Sequence, residues 1–239
     1  GQSNAGGDDN LVFKTLSTGT ISWTALFGTT SDDSIAGVVV DANDDIYVTG
    51  STRGAMDGSN LGGMDLWVAK LQTSDGTRSW IRQTGTSGDD APNDMTITYS
   101  SEYDTQIIVT GYTTGAFSGF TNLGGNDAIV VAYSSDGTQT FVDQFGSSSA
   151  THETGAEITI GRPGGSPEYI IVAGRTEGAL DGQTHAGGGG DAFVKVYYTY
   201  EGSTSTSTST SSSTLTSPST QSTSTSTSTL TSTQSTSTS

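Results

Sequence analysis

The sequence predicts an all-β fold made by repeating one four-stranded unit, followed by an extended, non-globular tail. Three observations predict it. The segment Gly-Gly-x-Asp recurs as GGDD (Gly6 to Asp9), GGMD (Gly62 to Asp65), GGND (Gly124 to Asp127) and GGGD (Gly188 to Asp191), its last Asp stepping by 56, 62 and 64 residues. Inside each step apolar residues alternate with period two, and no ten-residue window carries helical spacing. From Ser203 to Ser239 the chain is almost entirely Ser and Thr.

The first unit reads strand by strand. LVFKTL (Leu11 to Leu16) alternates and STG turns; ISWTALF (Ile21 to Phe27) follows and GTTSDD turns again. IAGVVVDA (Ile35 to Ala42) is the third run, NDD turns, and IYVTGST (Ile46 to Thr52) closes the unit. Short β-branched and aromatic runs parted by Gly, Asp, Asn and Ser are hairpin chemistry. Other anchors keep the same phase. YVTGST at Gly50 returns as IVTGYT at Gly111 and IVAGRT at Gly174; GAMDG at Gly54 becomes GAFSG and GALDG; Trp23, Trp80 and Phe141 hold equivalent places. Four strands per repeat in a radial array is a propeller pattern, with one meander sheet per unit forming a blade. The units run over about 9–64, 65–126 and 127–190, with a partial unit at 191–200, so a β domain spans 1–202 and the tail 203–239.

These residues resemble the β-propeller repeat family sometimes called seven-bladed propeller repeats. In that family a D-x-φ-V-x-K strand leads to DG…W, then FG…GDD, then VDxxGNxYVTG. DLWVAKLQTSDGTRSWIRQTGTSGDD (Asp65 to Asp90) and VVVDANDDIYVTGST (Val38 to Thr52) carry the likeness, which covers Gly6 to about Tyr200. The third unit departs from it: SSSATHETG replaces the SGDD turn, and IGRPGGSPEYIIVAG lengthens a later one. The resemblance implies the fold and an extracellular setting, and no reaction.

Three units and one extra strand, DAFVKVYYTY, fall short of the four to eight blades of a propeller. GQSNAGGDD at Gly1 also matches GQTHAGGGGD at Gly182, so Gly1 lies inside a repeat. Either the chain is a processed or cut piece of a longer one, or first and last strands of neighbouring copies complete each other, as strand addition permits.

Composition narrows the function. The 239 residues carry 25 acidic and 8 basic side chains, net −17, and every charge precedes the tail. So acidic a surface repels phosphate backbones and offers an anionic membrane no basic patch. No apolar run approaches the roughly 20 residues that span a bilayer. Cysteine is absent, which removes disulfides and thiolate metal sites.

Candidate chemistry is sparse. Asp32-Asp33, Asp89-Asp90 and DANDD (Asp41 to Asp45) read as turn-forming carboxylates, which bond their own backbone, with calcium at these Asp-rich turns as the only cofactor considered. His152, Glu153 and His185 sit in loops without H-E-x-x-H or G-x-S-x-G around them. Trp23, Trp67 and Trp80 fall on strands and read as core rather than a sugar-stacking platform. No catalytic, cofactor-binding or metal residue is assigned, and the chain is not read as an enzyme.

The tail has the composition of an O-glycosylated stalk. Bare, it cannot offset an ordering cost of roughly 1–2 kcal/mol per residue by burial. Fully extended its 37 residues reach about 120 Å. The candidate O-glycosylation sites are Ser203, Thr204, Ser205, Thr206, Ser207, Thr208, Ser209, Thr210, Thr214, Thr216, Ser219, Thr220, Thr223, Thr225, Thr227, Thr229, Thr231, Thr233, Thr236 and Thr238. Domain and stalk together read as the self-associating subunit of an extracellular or cell-surface filament or coat, its partners being further copies and covalent glycans. A stalked adhesin that binds carbohydrate is the alternative, and an extracellular hydrolase or lyase a third reading.

Overall fold

The structure is a computed structural model that describes residues 3–98, 105–148, 152–161, 169–180, 182–184, 189–198, 207–217 and 220–230. Every regular element among them is a strand. The first unit holds β1 (Asn10–Thr15), β2 (Ile21–Phe27), β3 (Asp33–Val40) and β4 (Ile46–Thr52). The second holds β5 (Asp65–Leu71), β6 (Arg78–Thr84), β7 (Asp90–Ile97) and β8 (Gln106–Thr113). The third holds β9 (Asp127–Ser134), β10 (Gln139–Phe145), β11 (Thr154–Gly161) and β12 (Tyr169–Thr176), and β13 (Asp191–Tyr198) is the extra strand.

Four strands per unit is the observed count, but a sheet is not a unit. The sheets are β1-β2, β3-β4-β5-β6, β7-β8-β9-β10 and β11-β12-β13. Each complete sheet thus takes two strands from one repeat and two from the next. The connectors after β2, β6 and β10 leave one sheet and enter its neighbour. Equivalent backbone bonds fasten the crossings: Asp33 N–H to the Asp8 carbonyl, Asp90 to Met64, Glu153 to Asn126.

Period two becomes packing in the central sheet. On β9, Ile129, Val131 and Tyr133 point into a core shared with Tyr47, Leu66 and Val68 of the preceding sheet. Ala128, Val130 and Ala132 point the other way, into a core shared with Ile158, Val172 and Phe193 of the following sheet. On β5, Trp67, Ala69 and Leu71 join a third core with Trp23 and Ala25 of β2. Strands buried on both faces lose the polar half of the alternation, which is why β9 reads DAIVVAYS.

The first strand of each sheet bulges at one place: between Ile35 and Gly37, Pro92 and Asp94, and Gly155 and Glu157. A bulge bends its strand and tolerates a proline, here Pro92. Opposite it stand the glycines of the VTG anchors. A Cβ at Gly50 would fall on the Ser34 carbonyl oxygen, at Gly111 on that of Ala91, and at Gly174 on that of Thr154. Close backbone approach, rather than turn conformation, therefore explains this repeated glycine.

The tail backbone is extended and non-globular, in two strands, β14 (Ser207–Ser217) and β15 (Thr220–Leu230), that pair antiparallel from Ser207–Leu230 to Ser217–Thr220. Gly111→Ala should destabilise the domain by at least the ~1–3 kcal/mol of an overpacked core, read as a lowered urea midpoint at unchanged m.

Candidate functional site

Of the candidate O-glycosylation sites, Ser207, Thr208, Ser209, Thr210, Thr214 and Thr216 stand on β14, and Thr220, Thr223, Thr225, Thr227 and Thr229 on β15. Ser203, Thr204, Ser205, Thr206, Ser219, Thr231, Thr233, Thr236 and Thr238 lie outside the described residues, as does His185.

At the end of the array where the chain crosses between sheets, the structure brings carboxylates together in pairs. The first member opens a crossing strand. Asp33 Oδ2 accepts from the Thr29 N–H at 2.6 Å and the Thr29 hydroxyl at 3.1 Å. Asp90 Oδ2 accepts from the Thr86 N–H at 2.6 Å and the Thr86 hydroxyl at 3.0 Å. In the third unit Glu153 takes this place, accepting from Ser147 N–H at 3.2 Å and the Thr176 hydroxyl at 2.9 Å. The SSSATHETG departure thus keeps the carboxylate with one more methylene.

The second member is the Asp of Gly-Gly-x-Asp. Asp65 Oδ2 accepts from Gln83 Nε2 at 2.7 Å and the Leu61 N–H at 2.7 Å; Asp127 Oδ2 does the same with Gln144 at 2.8 Å and Leu123 at 3.0 Å. Each pair converges on a glycine. At Gly28 a Cβ would meet Asp9 and Asp33, at Gly85 Asp65 and Asp90, and at Gly146 Asp127 and Glu153. Asp65 and Asp90 are fully buried, and Asp65 Oδ1 has no hydrogen-bond partner. Burial pushes the Asp90 carboxyl above its ordinary range, the Thr113 and Thr86 bonds hold it back, and the Asp65 charge adds to the rise.

The opposite end carries a second repeated device. Trp23 Nε1 donates to the Thr73 carbonyl at 2.9 Å, reaching from β2 to the β5–β6 turn of the next sheet. Trp80 Nε1 donates to the Ser135 carbonyl at 3.0 Å, from β6 to the β9–β10 turn. Under each ring lies a positive-φ turn glycine, Gly76 (φ 76°) or Gly137 (φ 85°), whose missing Cβ leaves room for the indole. Phe141 holds this place on β10, meeting Tyr197 edge-on at 5.9 Å and lacking the N–H. Trp67 is fully buried, Trp23 nearly so, and Trp80 packs on the shared core, as the core reading expects.

Beside the Trp80 latch opens a polar groove of about 690 Å³, lined by Asp44, Asp45, Lys70, Trp80 and Asp136 among others. Lys70 Nζ lies 2.8 Å from Asp45; burial pulls its pKa down, and the bonds with Asp45 and Tyr47 more than offset that. Burial pushes the Tyr47 phenol up to about 12. The Ser134 hydroxyl holds Asp136 down to about 2. The turn reading of DANDD is what the bonds show. Asp41 Oδ1 accepts from the Asn43 and Asp45 N–H groups at 2.8 and 2.9 Å, and Asp44 sits at φ 63°. Among the described residues no three of His, Asp and Glu gather as a metal centre. His152 is exposed, 3.6 Å from Glu177.

Sequence reading missed the latches and the pairs. Their partners stand 50 residues apart for Trp23 and Thr73 and 25 for Asp65 and Asp90, in different sheets. The signal that could have found them was the fixed phase of W, FG/TG and DG within the repeat.

Residues 22–55, which run from β2 through β4, match the family described as Beta-propeller repeat. No curated protein matches the chain. Those residues thus carry one beta-propeller repeat, and the chain around them is built of repeated four-stranded antiparallel sheets.

Two outcomes follow from the geometry. A carboxyl with a raised folded pKa stabilises the fold below its unfolded pKa of about 4, and that contribution is lost as pH rises through the folded value. Asp90→Asn should therefore flatten the fall of stability above about pH 4, its relative advantage growing with pH in urea melts at each pH. Trp80→Phe keeps an aromatic ring, removes the indole N–H bond to the Ser135 carbonyl, and should cost about 1–2 kcal/mol in the same assay.

Proposed function

We propose that this beta-propeller-repeat chain is a structural subunit of an extracellular or cell-surface filament or coat. In this reading the β domain makes the contacts between copies and the Ser/Thr tail carries O-linked sugar. The observation that carries it is the junction of a tightly packed, strongly acidic domain with 37 residues that hold hydroxyls and no charge or aromatic ring. Such a segment gains stiffness from covalent sugar, which excludes compact conformers, and not from burial. The domain suits a scaffold: its polar groups at both ends are engaged in holding sheet to sheet. No reaction is proposed for it.

The second reading, a stalked carbohydrate-binding module, draws support from the groove beside Trp80. An aromatic face next to Asp44, Asp45 and Lys70 is the kind of surface that stacks on a sugar ring and bonds its hydroxyls.

Two measurements test these readings. Intact-mass analysis of natural material should exceed the 24.4 kDa of the peptide by a ladder of hexose-sized steps confined to tail peptides. Electron microscopy at micromolar concentration should show fibres or sheets. A bare peptide mass removes the glycan part, and isolated monomers remove the structural part. For the second reading, a competable glycan-array hit should be lost on Trp80→Ala.

A further inference from the structure

One place between neighbouring sheets carries different chemistry from repeat to repeat. Counted from Trp23, Trp80 and Phe141, the residues Ala25, Arg82 and Asp143 are equivalent; counted from the Asp of Gly-Gly-x-Asp, so are Ala69, Val131 and Lys195. In the core between β2 and β5 both places are apolar, and Ala25 and Ala69 are buried. Packing of the fold therefore does not ask for ions there. Between β10 and β13 the same two places hold Asp143 and Lys195, on strands of adjacent sheets that share no ladder.

The pair is in close contact and shielded. Lys195 Nζ lies 2.5 Å from Asp143 Oδ2, and the Tyr197 hydroxyl donates to that same oxygen at 2.7 Å. The side chains of Lys195 and Asp143 are only 13% and 19% exposed. Rings wall the contact in. Nζ stands 3.9 Å from the centre of the Phe145 ring and 5.2 Å from that of Tyr197. Phe141 meets Tyr197 edge-on, and Phe145 meets Phe193 in the same way. The desolvation of such an ion pair often outweighs its attraction, and apolar residues in its place are often as stable or more so. With alanines serving at the equivalent place, the pair has a use other than packing.

We infer that Lys195 and Asp143 condense into an amide between Nζ and Cγ, a covalent tie between two sheets. Lys195 passes one proton along the hydrogen bond to Asp143, leaving a neutral amine beside a neutral carboxyl, the form that apolar walls favour. The amine attacks Cγ. The Nζ–Cγ bond forms, the Cγ–Oδ2 bond breaks, and Oδ2 leaves as water with the two protons that the nitrogen has given up. Nothing is oxidised or reduced, and no co-reactant enters. The Tyr197 hydroxyl, already bonded to Oδ2, stabilises the departing oxygen. Free amine and acid do not condense in water, but groups held in contact react at effective molarities of about 10⁵–10⁸ M. The surrounding rings also hinder the return of the water released. The product joins residues 52 apart in a chain that has no cysteine. Closing that loop in the unfolded chain stabilises the fold as a disulfide does. The inference stands on this contact and does not rest on the assembly reading.

Mass spectrometry tests it on the full chain, produced recombinantly without sugar. The intact wild type should weigh one water less than its sequence. Lys195→Arg keeps a cation beside Asp143 but has no amine to condense, and should show the full sequence mass. A digest of the wild type should contain one branched peptide carrying both Asp143 and Lys195, with fragment spectra placing the branch between them; this measurement needs no variant to fold. On denaturing gels the linked chain should run ahead of Lys195→Arg. A folded wild type at its full sequence mass, with Lys195 open to acetylation once unfolded, is a plain ion pair and overturns the inference. A water loss that persists in Lys195→Arg, or that maps to an Asp-Gly turn such as Asp75-Gly76, overturns it as well.

Discussion

The central β7-β8-β9-β10 sheet is buried on both faces by the sheet before it and the sheet after it. That one constraint sets much else. It removes the polar half of the strand alternation on β5, β8 and β9, so these strands read as nearly continuous apolar runs. It also makes stability a nearest-neighbour property, since no sheet has a core of its own and each gains one by stacking. Leu11, Phe13, Val38 and Val40, on the first and third strands, are among the large apolar side chains left in water.

Apolar stacking alone is non-directional, and the polar devices at the sheet ends supply the missing alignment. The buried carboxylates collect backbone N–H groups from connectors that have no ladder partners, and a buried N–H left unpaired is costly. Burying such a carboxylate has its own cost, visible in the raised Asp90, to which the paired Asp65 charge adds a smaller part. The tryptophan latches work in the opposite sense. Each uses a neutral donor to hold a turn of the next sheet, with the turn glycine making room for the ring. The third unit keeps the carboxylate as Glu153 and drops the indole as Phe141, so the two devices are independent of each other.

Function in this reading is divided between two physically different parts. The domain is ordered by burial, whereas the tail offers only Leu215 and Leu230 as apolar side chains beyond Pro218. A domain of net −17 keeps like-charged copies apart and well solvated.

Composition and periodicity by themselves determined the all-β class, the first unit's strand positions to within two residues, the core role of Trp23 and Trp67 and the turn role of the DANDD carboxylates. These follow from local rules, since alternation, turn propensity and side-chain-to-backbone bonds act over a few residues. Tertiary structure decided which strands share a sheet, shifting every sheet by two strands from the repeat as written. It also decided that Gly50, Gly111 and Gly174 serve close approach, that Asp65 meets Asp90, and that Trp80 holds Ser135. Each of these joins residues far apart along the chain, the glycines across neighbouring strands and the other two across sheets, and a period along the chain shows that a position recurs without showing what it faces.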